Sequence, residues 1–551
     1  MLLLTLFSAI AWADPVLDAL TTELDRTMTA WEGEEDAPYY VSYRVNDYTA
    51  WNISARHGAL STSQANRGRI LDVSARVGSY ALDSRHAMRG GGFSDTNMHV
   101  GVSLPVDASA DALRSVIWTA TNKEINDARE AWTQVQARQI VRVEEQDDSE
   151  DFSPADPTED LREPAEMAVN QVAWEEALRS LSAQLNDHPL VYGSNASLSA
   201  RSETRYVITS EGTRIRQPRT WVRVSLSANT RAEDGMELRL YRWKDVRAPD
   251  RLPDPEVLAG WADELVDDLV ELHDAPQGEP YSGPLLLKGR AAGVFVHEVM
   301  GHRLEGHRQK EEDEGQTFKD KVGEQLLPVG FTVYDDPTLA EYAGEDLNGH
   351  YAYDEEGSPA ARASLVEDGV LAGFLKSRAP IEGHPETNGH GRAAAWRLPV
   401  ARMANTILET DDPQTYDELV AQMRQELKAQ GREWGLMVDE IGGGFTLTGR
   451  VMPNAFNVRA TYAWRIYADG RPDELIRGVD LVGTPLVALS SVVAAGDDPA
   501  VFNGFCGAES GSVPNSAIAP SILLRQLELQ KKEKGNQRPP LLTKPVPEGD
   551  S

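Results

Sequence analysis

Val296-His297-Glu298-Val299-Met300-Gly301-His302 decides how the second half of this 551-residue chain is read. Residues 283–288 before it form a short apolar strand, and Arg290 opens a helical pattern that runs into the histidines. The chain holds 11 histidines, so two of them flanking a glutamate at this spacing stand above background. The familiar zinc-peptidase spacing is His-Glu-x-x-His, with ligands four apart on one helix face. Here they are five apart, and five residues turn about 500°, leaving the rings about 140° apart on an ideal helix. They can share one ion only if the helix ends or distorts between them. Gly301, directly before His302, supplies a permissive backbone for that. His297 and Glu298 are therefore placed in the last regular turn and His302 on a distorted exit. A structural pair of histidines is the plainer alternative.

Two histidines do not complete a catalytic zinc site, which takes three protein ligands and a water. Candidates for the third are Glu305, His307, Asp335, Asp336, His350, His384, His390 and Cys506. Asp335-Asp336 precedes a proline and also reads as a turn. Cys506 is the only cysteine, so it forms no intramolecular disulfide. It sits in Asn503-Gly504-Phe505-Cys506-Gly507, where flanking glycines let the backbone approach a metal closely. The bland reading of this thiol is a small buried hydrophobe; the sharp one is a metal ligand or a nucleophile.

The stretch HEVMGHRLEGH, followed far downstream by FCGAESGSVP, resembles the TldD/PmbA zinc metallopeptidases, also labelled modulators of DNA gyrase. Tyr334-Asp335-Asp336-Pro337-Thr338-Leu339, Tyr353-Asp354-Glu355-Glu356-Gly357, Gly369-Val370-Leu371, Asn388-Gly389-His390-Gly391-Arg392 and Arg402-Met403-Ala404-Asn405-Thr406 follow in that family's order. The likeness covers about residues 281–524. It implies zinc held by His297, His302 and Cys506, Glu298 as general base, and Glu305 and His307 as residues behind the ligands. It implies hydrolysis of unfolded peptides or protein segments, bound as an added β-strand in an enclosed cleft. It also implies a homodimer, or a heterodimer with a family paralogue. A non-catalytic zinc-binding partner subunit of such a complex is the alternative function.

Outward from this centre, the chain reads as an α+β protein. Residues 14–275 form an N-terminal domain of mixed sheet with helices, and residues 276–530 a strand-rich domain with a curved antiparallel sheet and the metal helix at its start. Apolar spacings of three and four from Leu17 to Trp31 predict a helix. Residues 39–60, 68–82, 221–226 and 236–243 read as strands, and 206–215 as strand, tight turn, strand. Helical patterns cover 110–143, 167–185, 255–272 and 413–430. The acidic, proline-bearing run 144–166 reads as a solvated loop, Gly442-Gly443-Gly444 as a turn at a strand edge, and 531–551 as a disordered tail.

Asp plus Glu number 87 against 54 Lys plus Arg, a net charge of −33. Such a surface repels phosphate backbones and argues against nucleic acid as a partner, including a DNA-bound regulator. No run of about 20 apolar residues occurs, so no membrane-spanning helix is expected. Residues 1–13 end in a small-x-small site and read as a signal peptide, with Asp14-Pro15 breaking the pattern; an exported, periplasmic or extracellular location follows from that reading.

Overall fold

A computed structural model describes residues 14–86, 101–107, 109–139, 147–311, 313–450 and 455–532, with 540, 542, 544 and 545. Helices and sheets alternate through both halves, an α+β architecture. The first half is built on a seven-stranded mixed sheet. Its spine is the hairpin Pro38–Arg56 and Ala59–Val77, joined by His57-Gly58, both with positive φ as a tight primed turn requires. Strands were expected at 39–60 and 68–82; the first ends four residues sooner and the second begins nine residues sooner. The polar residues 59–68 carry no apolar alternation, yet they stay in the ladder because their partners across the hairpin hold them. Gly193–Thr209 pairs with Pro38–Arg56, and the uninterrupted strand Arg214–Arg231 absorbs the segment expected separately at 221–226. Glu237–Val246 pairs antiparallel with it, and Glu159–Leu161 parallel.

Period-two alternation gives this sheet two different faces. On one, Val41, Tyr43 and Val45 pack under Leu17, Leu20 and Leu24 of helix Pro15–Trp31, beside Leu113 and Ile117 of helix Ala110–Gln139. Further along, Ala196, Leu198, Val222 and Val224 meet helices Gln171–Gln184 and Pro255–Asp274. The other face is buried yet polar. Arg44 bonds Asp72 at 2.7 Å and the carbonyls of Ala394 and Arg397. Arg205 donates to the Tyr353 carbonyl and Gln217 to the same oxygen. These cations and amides fasten the sheet to the second half, which is why the strands look half-polar in sequence.

The acidic run is not wholly solvated. Phe152 is 2% exposed, beneath the guanidinium groups of Arg76 and Arg378, and Ser153 bonds the Arg378 backbone. Residues 144–146 lie outside the described residues. The signal-peptide reading of 1–13, itself outside the described residues, took Asp14-Pro15 as the break after a cleavage site. The pair starts a helix instead. Asp14 caps it by accepting from the Val16 and Leu17 amides, and Pro15 occupies its first turn.

The second half contains two large sheets beside two two-stranded ribbons. Five strands pair in the circuit Trp434–Thr446, Tyr281–Leu287, Ile522–Lys531, Val479–Gly483, Phe456–Tyr467 and back to Trp434–Thr446, closing a ring. A six-stranded sheet runs Val370–Leu371, Ala363–Glu367, Phe331–Asp335, Asn405–Thr410, Gly511–Ala519, Ala500–Ala508. Each has one parallel pairing, so neither is purely antiparallel as expected. A short helix, Pro485–Ser490, escaped the sequence reading. The tail read as disordered begins one residue inside a strand that ends at Lys531, and most of its other positions lie outside the described residues.

Helix Gly289–Val299 lies between ring and sheet, and every one of its described positions but Arg290 is buried. A helix apolar on all sides has to be enclosed on all sides. Its small residues allow close approach. A Cβ at Gly289 would stand 2.9 Å from the Ala519 carbonyl oxygen, and one at Gly293 2.9 Å from that of Ala517.

Asp335, wholly buried, anchors the six-stranded sheet. It accepts from the Ala404 and Asn405 amides, the Thr406 hydroxyl at 2.7 Å and His390 Nε2 at 3.2 Å. Burial alone would raise its carboxyl, but His390, Thr406 and the amide of Ala404 outweigh it and hold it below its ordinary value. A depressed folded value stabilises above the unfolded value and is lost as pH falls through the folded one. Asp335→Ala is expected to cost about 3–5 kcal/mol at pH 7, with a penalty that shrinks in acid, measured by urea midpoints.

Candidate metal centre

The helix ends at Val299, and the chain tightens through Met300 into the 3₁₀ turn Gly301–Leu304. That change of pitch brings the histidine rings together, centroids 4.9 Å apart with planes at 85°. Gly301 is needed for space rather than for backbone freedom. Its φ is not positive, but a Cβ there would lie 2.0 Å from Met403 Sδ.

Cys506 reaches the same point from strand Ala500–Ala508, its Sγ 3.3 Å from His302 Nε2. The ligand atoms of His297, His302 and Cys506 all lie within 4.8 Å of one another, and all three residues are buried. The positions around them fix their orientation. Asn515 Nδ2 meets His297 Nδ1 at 3.1 Å, which fixes the orientation of that ring. His302 Nδ1 faces Glu305 at 3.3 Å. Glu305, with no exposure, accepts from Arg308 Nε at 2.8 Å and Arg402 Nε at 3.1 Å. Arg402 Nη2 then donates to the Cys506 carbonyl at 2.8 Å and to its sulfur at 3.1 Å. His302, Glu305, Arg402 and Cys506 thus form a closed cycle of contacts.

Electrostatics favour a thiolate in this cycle. Burial would raise the Cys506 thiol, but His302, His297 and Arg402 outweigh it and hold it well below its ordinary value. Burial likewise works against the Glu305 carboxylate, yet His302, Arg308 and Arg402 hold it at about 2. Glu298 moves the other way: burial raises its carboxyl above the ordinary range. Arg303 fixes its backbone through a 2.8 Å bond to the Glu298 carbonyl.

The other sequence candidates for a ligand are engaged elsewhere. His307 pairs with Glu509, and Arg308 bonds Glu509 at 2.8 Å as well as Glu305. Glu305, His307 and Glu509 are a second set of close ligand atoms, but the Arg308 guanidinium already supplies the positive charge between the two carboxylates. Asp336 accepts from the Thr338 amide at 2.9 Å, and His350 bonds the Pro337 carbonyl. His384 packs edge-on against Phe374. Arg402, Glu509 and Asn515 are neighbours of the centre that sequence reading did not assign. Arg402 and Glu509 lay inside the quoted motifs, and Asn515 directly follows one, so proximity to a motif was their only signal.

Two histidine rings and a cysteine sulfur converge here, buried, a donor set of the kind that transition metals take. The model of the PmbA/TldA metallopeptidase C-terminal domain matches residues 280–531, and that of the central domain residues 149–272. The chain belongs to the PmbA/TldD family. It is 34% identical over 234 residues to a Methanothermobacter thermautotrophicus protein named Metalloprotease, across 42% of this chain and 47% of that one. It is 29% identical over 249 residues to a Haemophilus influenzae protein named Metalloprotease TldD homolog, across 44% and 47%. The chain therefore spans about half the length of the curated relatives it matches. The crystal structure of TldE from Thermococcus kodakarensis superposes with a TM-score of 0.61 at 15% identity, over 92% of this chain and 99% of that one, a likeness of fold.

The exported location is withdrawn together with the signal peptide. It rested on residues 1–13 alone, Asp14-Pro15 is a helix start, and the TldD homolog gives export no support. No described helix is long and apolar enough to cross a membrane.

Proposed function

We propose that this chain is a zinc-dependent peptidase that hydrolyses unfolded peptides or protein segments, with Glu298 as general base. The observation that carries the reading is the convergence of His297, His302 and Cys506 one residue from a buried glutamate. Those three side chains would hold the ion and leave a fourth position open. Zinc bound there supplies Lewis acidity and brings the pKa of water to about 7.

The chain's own groups perform the proton work. Glu298 takes a proton from the attacking water and returns it to the leaving amine. Burial raises the basicity of its carboxylate, which suits that role. Asn515, Glu305 and Arg402 hold the ligand side chains in orientation. Gly444 makes room for the base, since a Cβ there would lie 2.7 Å from Glu298 Cγ. Gly444→Ala is expected to displace the carboxylate and lower kcat/KM by about 10²-fold with metal content unchanged. Metal analysis beside peptide kinetics checks it, and unchanged kinetics would remove the packing role.

Substrate binding as an added strand is supported by the edge of Ala500–Ala508. Among the described residues, that edge pairs with no strand on the side away from Gly511–Ala519. Main-chain pairing there makes selection loose in side chain but strict in conformation. Assembly with a second copy or a family paralogue belongs to the same proposal. The test is elemental analysis of the purified protein followed by exposure to a broad library of unstructured peptides. About one zinc per chain with cleavage is expected; zinc without cleavage would favour a non-catalytic partner subunit.

A further inference from the structure

Two strands flank the candidate centre, and the first sheet bonds the main chain of both. Tyr241 and Trp243 stand two positions apart on strand Glu237–Val246, so their side chains leave the same face, rings 5.1 Å apart. The Tyr241 hydroxyl donates to the Ile441 carbonyl at 3.1 Å. The Trp243 indole N–H donates to the Asn503 carbonyl at 3.2 Å, where Arg223 adds a second donor, also at 3.2 Å. Ile441 belongs to the ring strand beside Glu298, and Asn503 to the edge strand that carries Cys506. Three positions beyond Ile441 stands Gly444, against Glu298; three positions beyond Asn503 stands Cys506.

The alternation of a strand says what this does to a substrate. The Asn503 carbonyl takes donors from outside its sheet, so Phe505 and Gly507 turn their N–H and C=O to that same edge. A peptide strand can pair with those two, but the Asn503 acceptor is already engaged. The stop is also firmly held. Arg223 Nε bonds Asp245 at 2.6 Å, the Phe502 ring meets Trp243 at 5.3 Å, and the Arg290 guanidinium lies 4.2 Å over the indole.

We infer that Tyr241 and Trp243 close one end of the substrate cleft and limit the substrate, on that side of the scissile bond, to about three residues, roughly 10 Å of strand. The inference rests on the peptidase reading above and adds a ruler to it. A chain terminus must enter first, and the enzyme releases fragments of at most about three residues from one end.

Mass spectrometry of the products from unstructured peptides tests this. Wild type should give short fragments from one terminus, and Tyr241→Ala/Trp243→Ala should give longer ones; the single variants serve if the double one does not fold. Wild-type cleavage at interior bonds that leaves long products on both sides overturns the inference, as do unchanged product lengths in active variants. A second readout needs no turnover. In Glu298→Ala protein, a bulky dye on the terminus that enters should weaken peptide binding by about tenfold relative to the dye on the other end, and opening the cap should erase the difference. Equal binding of both labels overturns the ruler even if cleavage occurs. Asymmetric binding without wild-type cleavage upholds the ruler and sinks the peptidase reading, and no binding of either label ends both.

Discussion

Glu298→Ala is expected to abolish peptide hydrolysis while the protein keeps its metal. General-base catalysis contributes about 10²–10⁴-fold, so kcat/KM should fall by at least that range. The three side chains that would hold the ion are untouched by the change. Arg303 bonds the Glu298 carbonyl, which the substitution leaves in place, so the helix end keeps that anchor. Glu298→Gln, which preserves volume and removes basicity, should fail equally. Quenched-peptide kinetics with metal analysis on the same preparations decide the matter; full activity in either variant would take Glu298 out of the mechanism.

Cys506→Ser is expected to lose the metal itself. A serine hydroxyl stays neutral and binds zinc far less well than the thiolate that His302, His297 and Arg402 favour here. The zinc content should drop from about one per chain to less than about a tenth after mild chelation, and hydrolysis should vanish with it. The fold should survive, because Cys506 is one small residue in a strand paired along its whole length with Gly511–Ala519. Circular dichroism separates loss of metal from loss of structure. Equal zinc in both proteins would leave the local histidines to account for the site.

Much of this was legible in the sequence, and the failures have physical causes. The departure from helix between His297 and His302 follows from a spacing that cannot close on a regular helix, and the chain does leave it there. Amphipathic helices such as Tyr416–Ala429 announce themselves by apolar period and by a Thr415–Glu418 capping box. The closed ring was invisible, since it joins Leu285–Leu287 to Leu436–Val438 across distant sequence by main-chain bonds that leave no side-chain signature. The burial of Phe152 was missed because one aromatic in an acidic run carries no period. Asp14-Pro15 was misread because a proline after a polar residue marks the start of a helix as readily as a break. Arg402, wholly buried, shows the general difficulty: its role depends on Glu305 and Cys506, about a hundred positions away on either side.

The ring has a consequence for biosynthesis. Strand Ile522–Lys531 lies between Tyr281–Leu287 and Val479–Gly483, so the circuit stays open until that late segment has left the ribosome. Until then the histidine helix has its floor on one side only. Until strand Ile522–Lys531 is made, a nascent chain can display both imidazoles and even the thiol without holding them in register. Assembly of the His297, His302 and Cys506 cluster is thereby tied to the pairing of that one strand.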